Sequence, residues 1–123
     1  MKQLTKAEEQ VMQVLWKLGK GFLKDILENC PEPKPHSNTV ATILKILVEK
    51  GFVAYETQGR NNLYEPVVSK DQYGNKSATQ LLKSYFEGSP ARLVSQFVSD
   101  NQLSVEELEA LLEQIRSSKK DQK

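Results

Sequence analysis

At 123 residues, with 38% hydrophobic and 27% charged residues, the chain has the composition of an ordinary globular protein and room for one small domain with an appendage. A formal net charge of +1 excludes the broad basic footprint of a strong non-specific nucleic-acid binder, so any phosphate contacts must be few and local. One cysteine, Cys30, and one histidine, His36, exclude an internal disulfide and a cysteine- or histidine-rich metal site. No apolar run reaches the ~20 residues that cross a bilayer and no secretion signal opens the chain, so a cytoplasmic location is expected.

Leu4-Thr5-Lys6-Ala7-Glu8 opens a helix. Thr5 and Glu8 stand at capping-box spacing, where each side chain can accept a backbone N–H from the other. Ala7, Val11, Val14, Leu15 and Leu18 follow at helical period with Trp16 to one side, and Gly19 stops the run. Phe22 is expected to supply a strand of one or two residues that pairs with a later ribbon. Leu23 to Asn29 reads as a short second helix with Ile26 and Leu27 facing inward and no good N-cap. Pro31, Pro33 and Pro35 then alternate and force an extended, stiff loop. Lys34 and His36 on that loop are equally placed to touch phosphate or to stay in solvent.

The most informative stretch runs from Ser37 to Val67. Ser37 or Asn38 can cap a helix that Gly51 ends, with Val40, Ile43, Leu44, Leu47 and Val48 on one face. The other face carries Asn38, Thr42, Lys45 and Glu49, with Thr39, Ala41 and Ile46 on the flanks. Short polar side chains near the N-terminus suit a recognition helix, because the backbone can approach a major groove and Thr or Asn can meet base edges. An ordinary solvated face would look the same. Phe52, Val53 and Tyr55, then Leu63, Tyr64 and Val67, form two short strands around Gln58-Gly59-Arg60-Asn61-Asn62. Arg60 at that tip is placed to reach a phosphate or the minor groove, and Pro66 marks an edge or an end. A helix followed directly by a β-ribbon is the pattern of a winged helix-turn-helix.

Ser69-Lys70-Asp71 starts another helix, weakened by Gly74 and clearest from Ser77 through Ala78, Leu81, Leu82, Tyr85 and Phe86 to Gly88. Ser89-Pro90 caps a short helix with Leu93, Val94, Phe97 and Val98 on one face. Ser104 and Glu107 repeat the capping-box logic before Val105, Leu108, Leu111, Leu112 and Ile115, and the tail from Ser117 to Lys123 is polar and expected to fray. Three short one-sided helices bury their apolar faces poorly alone. Self-association through Leu81, Tyr85, Leu93, Phe97, Leu108, Leu111, Leu112 and Ile115 is the simplest remedy, and folding back on the N-terminal unit is the other. The fold class is mainly α with a small β-ribbon: a winged-helix DNA-binding domain over 1–68, then a helical dimerisation region over 69–123.

No phosphate-binding loop, nucleophile elbow or zinc-protease motif occurs, and the carboxylate pairs Glu8/Glu9 and Glu106/Glu107 sit in first turns, where they complement helix dipoles. No catalytic residue, cofactor, metal site or small-molecule ligand is indicated. Winged helices also bind proteins through the same helix, and nine basic against eight acidic side chains through Val67 favours that alternative.

Taken together, Leu4-Thr5-Lys6-Ala7-Glu8 with Val11-Met12 and Leu15-Trp16, Asn38-Thr39-Val40-Ala41-Thr42-Ile43-Leu44, Leu47-Val48-Glu49-Lys50-Gly51-Phe52-Val53 and Tyr64-Glu65-Pro66-Val67-Val68 resemble the penicillinase-repressor (BlaI/MecI/CopY) family of bacterial winged-helix regulators. The resemblance covers nearly the whole chain. It implies a homodimeric repressor on a palindromic double-stranded operator, with interleaved C-terminal helices as the dimer interface. Thr39 and Thr42 would then face bases, while Asn38, Lys45 and Arg60 anchor backbone. In β-lactam-responsive members a membrane sensor metallopeptidase signals cleavage at an Asn–Phe bond; the matching bond here is Gln96–Phe97. Ala41 and Ile46 stand where the family often has a basic residue. The paired cysteines of copper-responsive members are missing, and the triple-proline loop is longer than usual.

Overall fold

Thr5 caps the first helix as its spacing predicts, and the fold grows outward from that turn. The computed structural model of the chain describes residues 3–121, with side chains through Ser118. The element order is α1 (Lys6–Leu18), α2 (Leu23–Glu28), α3 (Ser37–Glu49), β1 (Val53–Gln58), β2 (Asn61–Pro66), α4 (Lys70–Tyr85), α5 (Pro90–Ser99) and α6 (Val105–Asp121). The chain divides into two compact units, Met1–Lys76 and Ser77–Lys123, and the division falls within α4.

In the first unit, α1, α2 and α3 pack on one another and the β1–β2 ribbon closes over α1 and α2. Val11, Met12, Leu15, Ile26, Val40, Leu44, Leu47, Phe52 and Val53 form the core, joined by Leu4, Val14, Cys30 and Tyr73. The buried face of α1 is centred one residue away from the expected stripe. Ala7 is exposed and Met12 is fully buried, because the inward face follows positions 8, 11, 12 and 15, one helical row. That row brings Glu8 inside, and it is tolerated because Lys50 meets it there. Burial also pushes the Cys30 thiol up, against a small opposing pull from Lys34.

The expected strand at Phe22 lies one residue earlier. Gly21 bridges Tyr64 through two backbone bonds, its N–H to the Tyr64 carbonyl at 2.9 Å and the Tyr64 N–H to its own carbonyl at 2.8 Å. A side chain at Gly21 would meet the Leu18 Cδ1 at 3.2 Å, so glycine spares Leu18 a shift of a few tenths of an ångström. Phe22 is instead the N-cap of α2, and its N–H donates to the Asp25 carboxylate at 2.9 Å, which compensates for the absence of a capping side chain.

Gly74 does not interrupt α4, which is continuous from Lys70 and opened by a Ser69–Gln72 capping box. Its first turns are held by Tyr73, only 7% exposed. The Tyr73 ring lies 5.7 Å from Phe52 edge-on and 6.0 Å from Trp16, its hydroxyl donates to Glu9 Oε2 at 2.9 Å, and it accepts the Leu4 N–H at 3.3 Å. Trp16 in turn donates its indole N–H to the Val68 carbonyl at 2.9 Å.

In the second unit Ser89 is the N-cap of α5, its hydroxyl accepting the Arg92 N–H, with Pro90 in the first turn. The last helix starts at the expected Ser104–Glu107 box. It stays helical through Ser117 to Asp121 where fraying was expected, while residues 122 and 123 of that tail lie outside the described residues. No residue from Ser77 to Ser118 is buried. No helix among the described residues is long and apolar enough to cross a membrane.

Candidate nucleic-acid interface

The helix that presents the candidate surface is fixed at both ends. Its C-terminus closes in a Schellman turn. Gly51 at φ +83° donates to the Val48 carbonyl at 3.1 Å, and Phe52 donates to the Leu47 carbonyl at 2.9 Å. Phe52 and Leu47 are both buried, which supplies the apolar contact of that motif. At the N-terminus the cap is neither Ser37 nor Asn38. His36 is extended at φ −68° and ψ 145°, and its Nδ1 accepts the Asn38 N–H at 3.1 Å. Histidine is not among the usual capping residues, so propensity gave no signal for it.

Val40, Leu44 and Leu47 are fully buried, with Ile43 and Val48 half-buried beside them. Asn38, Thr39, Thr42 and Lys45 are all exposed, so one continuous polar strip survives on the outer face of α3. Ala41 and Ile46 flank it half-buried. The Thr42 hydroxyl donates to the Asn38 carbonyl at 2.9 Å. Its proton is therefore engaged within the helix, leaving the oxygen lone pairs and the methyl group to meet a ligand.

The ribbon pairs Val53 with Pro66 through Gln58 with Asn61. Its loop is therefore two residues, Gly59-Arg60, shorter than the five-residue tip expected from composition: Gln58, Asn61 and Asn62 belong to the strands. Gly59 has φ +63° and Arg60 has no positive φ, the sign pattern of a type II′ hairpin. Thr57 donates its hydroxyl to the Asn62 side-chain oxygen at 3.0 Å, and Tyr55 lies 5.9 Å from Tyr64 on the same face. Arg60 is exposed at the tip on a separate element, and no hydrogen bond or ion pair among the described residues joins it to α3.

Charge on this unit is rationed by internal pairing. Lys50 donates to Glu8 Oε1 at 2.7 Å and to the Gln3 carbonyl at 3.4 Å, and it is mostly covered. Hydrogen bonding from Lys50 first, then from the Thr5 N–H, holds the Glu8 carboxyl below its ordinary value, against the opposing effect of burial. Lys34 binds the carbonyls of Leu27 at 3.3 Å and Glu28 at 2.7 Å, capping the end of α2. Both candidates on the proline loop, Lys34 and His36, are thus used to finish helices. Lys45 and Arg60 stay exposed and outside the ion pairs among the described residues.

In the second unit, exposure of the candidate dimerisation residues runs from 41% at Phe97 to 77% at Tyr85, with Leu81, Leu111, Leu112 and Ile115 between. Leu93 and Leu108 are half-buried, and Leu108 lines an open groove of about 550 Å³ with Val94 and Val98 of α5. The Gln96–Phe97 bond lies within α5. The Gln96 carbonyl accepts the Asp100 N–H at 3.0 Å and the Phe97 carbonyl accepts the Gln102 N–H at 2.9 Å.

Comparison with known proteins agrees with this geometry. The family model described as Penicillinase repressor matches residues 4–117. The penicillinase repressor of Bacillus licheniformis is 28% identical over 123 residues, spanning 97% of this chain and 96% of its own length. The methicillin resistance regulatory protein MecI of Staphylococcus aureus (strain N315) is 26% identical over 110 residues, 89% of each chain. The solution structure of the DNA binding domain of the repressor BlaI superposes with a TM-score of 0.52 at 26% identity, covering 58% of this chain and 88% of that one. A mainly helical chain with a two-strand antiparallel wing, matched by that model over nearly all its length, belongs to the penicillinase repressor (BlaI/MecI) family of winged-helix transcriptional repressors, which are regulators and not enzymes.

Proposed function

We propose that this chain represses transcription as a homodimer that occupies a palindromic operator. One α3 helix from each protomer enters the major groove, and the two grooves lie about 34 Å apart, one turn of DNA. The observation that carries DNA reading is the exposed strip of Asn38, Thr39, Thr42 and Lys45 on a helix whose other face is anchored in the core by Val40, Leu44 and Leu47. Thr39 and Thr42 meet base edges, the latter through its methyl or its oxygen, and Asn38, Lys45 and Arg60 hold the backbone. With two free cations per protomer on this surface, affinity falls only modestly with salt.

Dimerisation is supported by the apolar faces of α4, α5 and α6, which stay open in a single chain. A second copy laid against Leu81, Tyr85, Leu93, Phe97, Leu108, Leu111, Leu112 and Ile115 removes that surface from water, at roughly 25 cal/mol per Å² of apolar area. Release by proteolysis at Gln96–Phe97, signalled by a membrane metallopeptidase, is the finer form of this proposal. It requires the end of α5 to unwind first, since the carbonyl of that bond, Gln96 C=O, accepts the Asp100 N–H at the helix end and a peptidase cleft takes an extended strand. Cleavage would separate the linked readers and remove their shared local concentration.

The test is a gel shift of the full chain on its own promoter fragment against a scrambled fragment, across a salt series. A preference for the promoter fragment with a shallow salt slope is expected. Absence of any preference would overturn operator binding and favour a winged helix that docks on a protein, the reading that near-neutral charge supports.

A further inference from the structure

The N-terminus of α3 is held by the residue that precedes it, His36. Asn38 is the second residue of the helix, and its backbone N–H is already taken by the His36 imidazole at 3.1 Å. Thr39 and Val40 donate to the His36 carbonyl at 3.1 and 3.2 Å, so this one residue accepts from three successive N–H groups. The Ser37 and Asn38 side chains, which would otherwise cap the helix, are exposed and have no partner among the described residues. The Asn38 carbonyl is tied to the Thr42 hydroxyl at 2.9 Å, which fixes the first full turn.

We infer that His36 is a positioning residue for operator recognition, and that the group it positions is the side-chain amide of Asn38, a base-reading group. The inference rests on the operator-binding proposal above and reassigns Asn38 from backbone to base. In helix-turn-helix docking it is the N-terminal residues of the recognition helix that reach base edges. An asparagine amide there presents one donor and one acceptor, which match the N6 and N7 edge of adenine. That pairing requires a carbonyl oxygen uncommitted to the protein. A helix starting at Ser37 without His36 has to recruit Ser37 or Asn38 as its cap. The first residue or two then leave helical geometry, and the Asn38 oxygen turns inward onto a backbone N–H. By capping from outside the helix, the imidazole keeps α3 one or two residues longer at the end that faces DNA and leaves the amide free.

The experiment uses the full chain on its own promoter fragment, a scrambled fragment and a panel of single base-pair substitutions, with His36→Ala, His36→Asn, Asn38→Ala and His36→Ala/Asn38→Ala. His36→Ala is expected to lower discrimination between promoter and scrambled DNA about tenfold while leaving affinity for scrambled DNA unchanged. His36→Asn, which can accept the same N–H, restores it. Asn38→Ala flattens the preference at one symmetry-related base pair in each half-site, and adding His36→Ala to it changes discrimination no further. Discrimination kept by His36→Ala, an equal loss on both DNAs, or independent losses in the double variant overturns the inference while leaving operator binding intact. If the wild-type chain shows no preference for its promoter fragment, the operator proposal fails and this inference fails with it.

Discussion

The buried ion pair between Glu8 and Lys50 ties the first turn of α1 to the residue that ends α3, and its loss should be measurable and non-additive. The Glu8 side chain is 6% exposed and that of Lys50 21%, at 2.7 Å. A hydrogen bond to a charged group contributes about 1.5–3 kcal/mol. Stranding one member of a fully buried pair costs about 3–5 kcal/mol, a ceiling here because Lys50 is a fifth exposed and can turn toward water. Glu8→Gln keeps the volume and an acceptor for the Thr5 N–H, so about 2 kcal/mol is expected from the lost charge. Lys50→Met keeps most of the apolar stem and leaves Glu8 buried without its ammonium, for a similar cost of about 2 kcal/mol. The double variant should also lie near 2 kcal/mol, because the second change removes a partner already stranded. The coupling is then about 2 kcal/mol, well beyond the ~0.5 kcal/mol scatter of independent sites.

Urea unfolding followed by tryptophan fluorescence reads this out at one fixed protein concentration. Trp16 is the sole tryptophan and lies beside Tyr73 in the first unit, so it reports that unit. Additive losses, or single losses below ~0.5 kcal/mol, would refute the claim that the pair acts as a unit. The pH dependence gives a second arm. Because the folded carboxyl of Glu8 is held below its ordinary value, its contribution is fully present above the unfolded pKa, near 4.3, and fades as pH falls through the lower folded value. The gap between wild type and Glu8→Gln should therefore be constant near neutrality and close in acid. A gap that widens in acid would reverse the sign and exclude the mechanism.

If the proposed dimer forms through the apolar faces of α4, α5 and α6, Ile115→Asp should sediment as a monomer and wild type as a dimer, since the change places a charge on an exposed apolar residue; a dimeric variant would move the interface elsewhere. Thr42→Val should keep operator affinity if the methyl reads the base, and Thr42→Ala should lose about 1–3 kcal/mol on the operator alone. Equal loss on scrambled DNA would exclude base reading by Thr42. Gly51→Ala meets no neighbour within 4 Å but must hold φ +83°, so a loss of about 1–2 kcal/mol in the same urea assay is expected; an unchanged midpoint would show that this helix end can close without a left-handed residue.

Local chemistry carried much of the fold. The capping boxes at Thr5 and Ser104, the stops at Gly19 and Gly51, and the ribbon, though not its two-residue turn, rest on neighbours within a few residues and were legible in the sequence. What escaped depends on distant partners. Tyr73 lies beside a glycine in a weakly patterned stretch, and only Trp16, Phe52 and Glu9 reveal it as a core residue. Glu8 looked like a plain capping carboxylate until Lys50, brought in by the end of α3, made it buried. The exposed strip of α3 followed from helical period alone. Its cap did not, because His36 acts through a geometry that residue type rarely signals. Lys34 likewise looked available for phosphate, and only the path of the proline loop turns it back onto α2.

Phe52 has a consequence for how such a protein can diversify. Its N–H closes α3 on Leu47, and its carbonyl accepts the Val67 N–H at 2.8 Å as the chain leaves the ribbon. One buried residue thus anchors the end of α3 and the exit of the wing, while its own chain begins the entry. An insertion at that junction would break all three connections at once. The Gly59-Arg60 tip, six residues out along β1, touches none of them. Hairpin tips of other lengths and charges could be grafted between Gln58 and Asn61 with the helix left in place, so the wing is the exchangeable part of this scaffold and the junction its invariant.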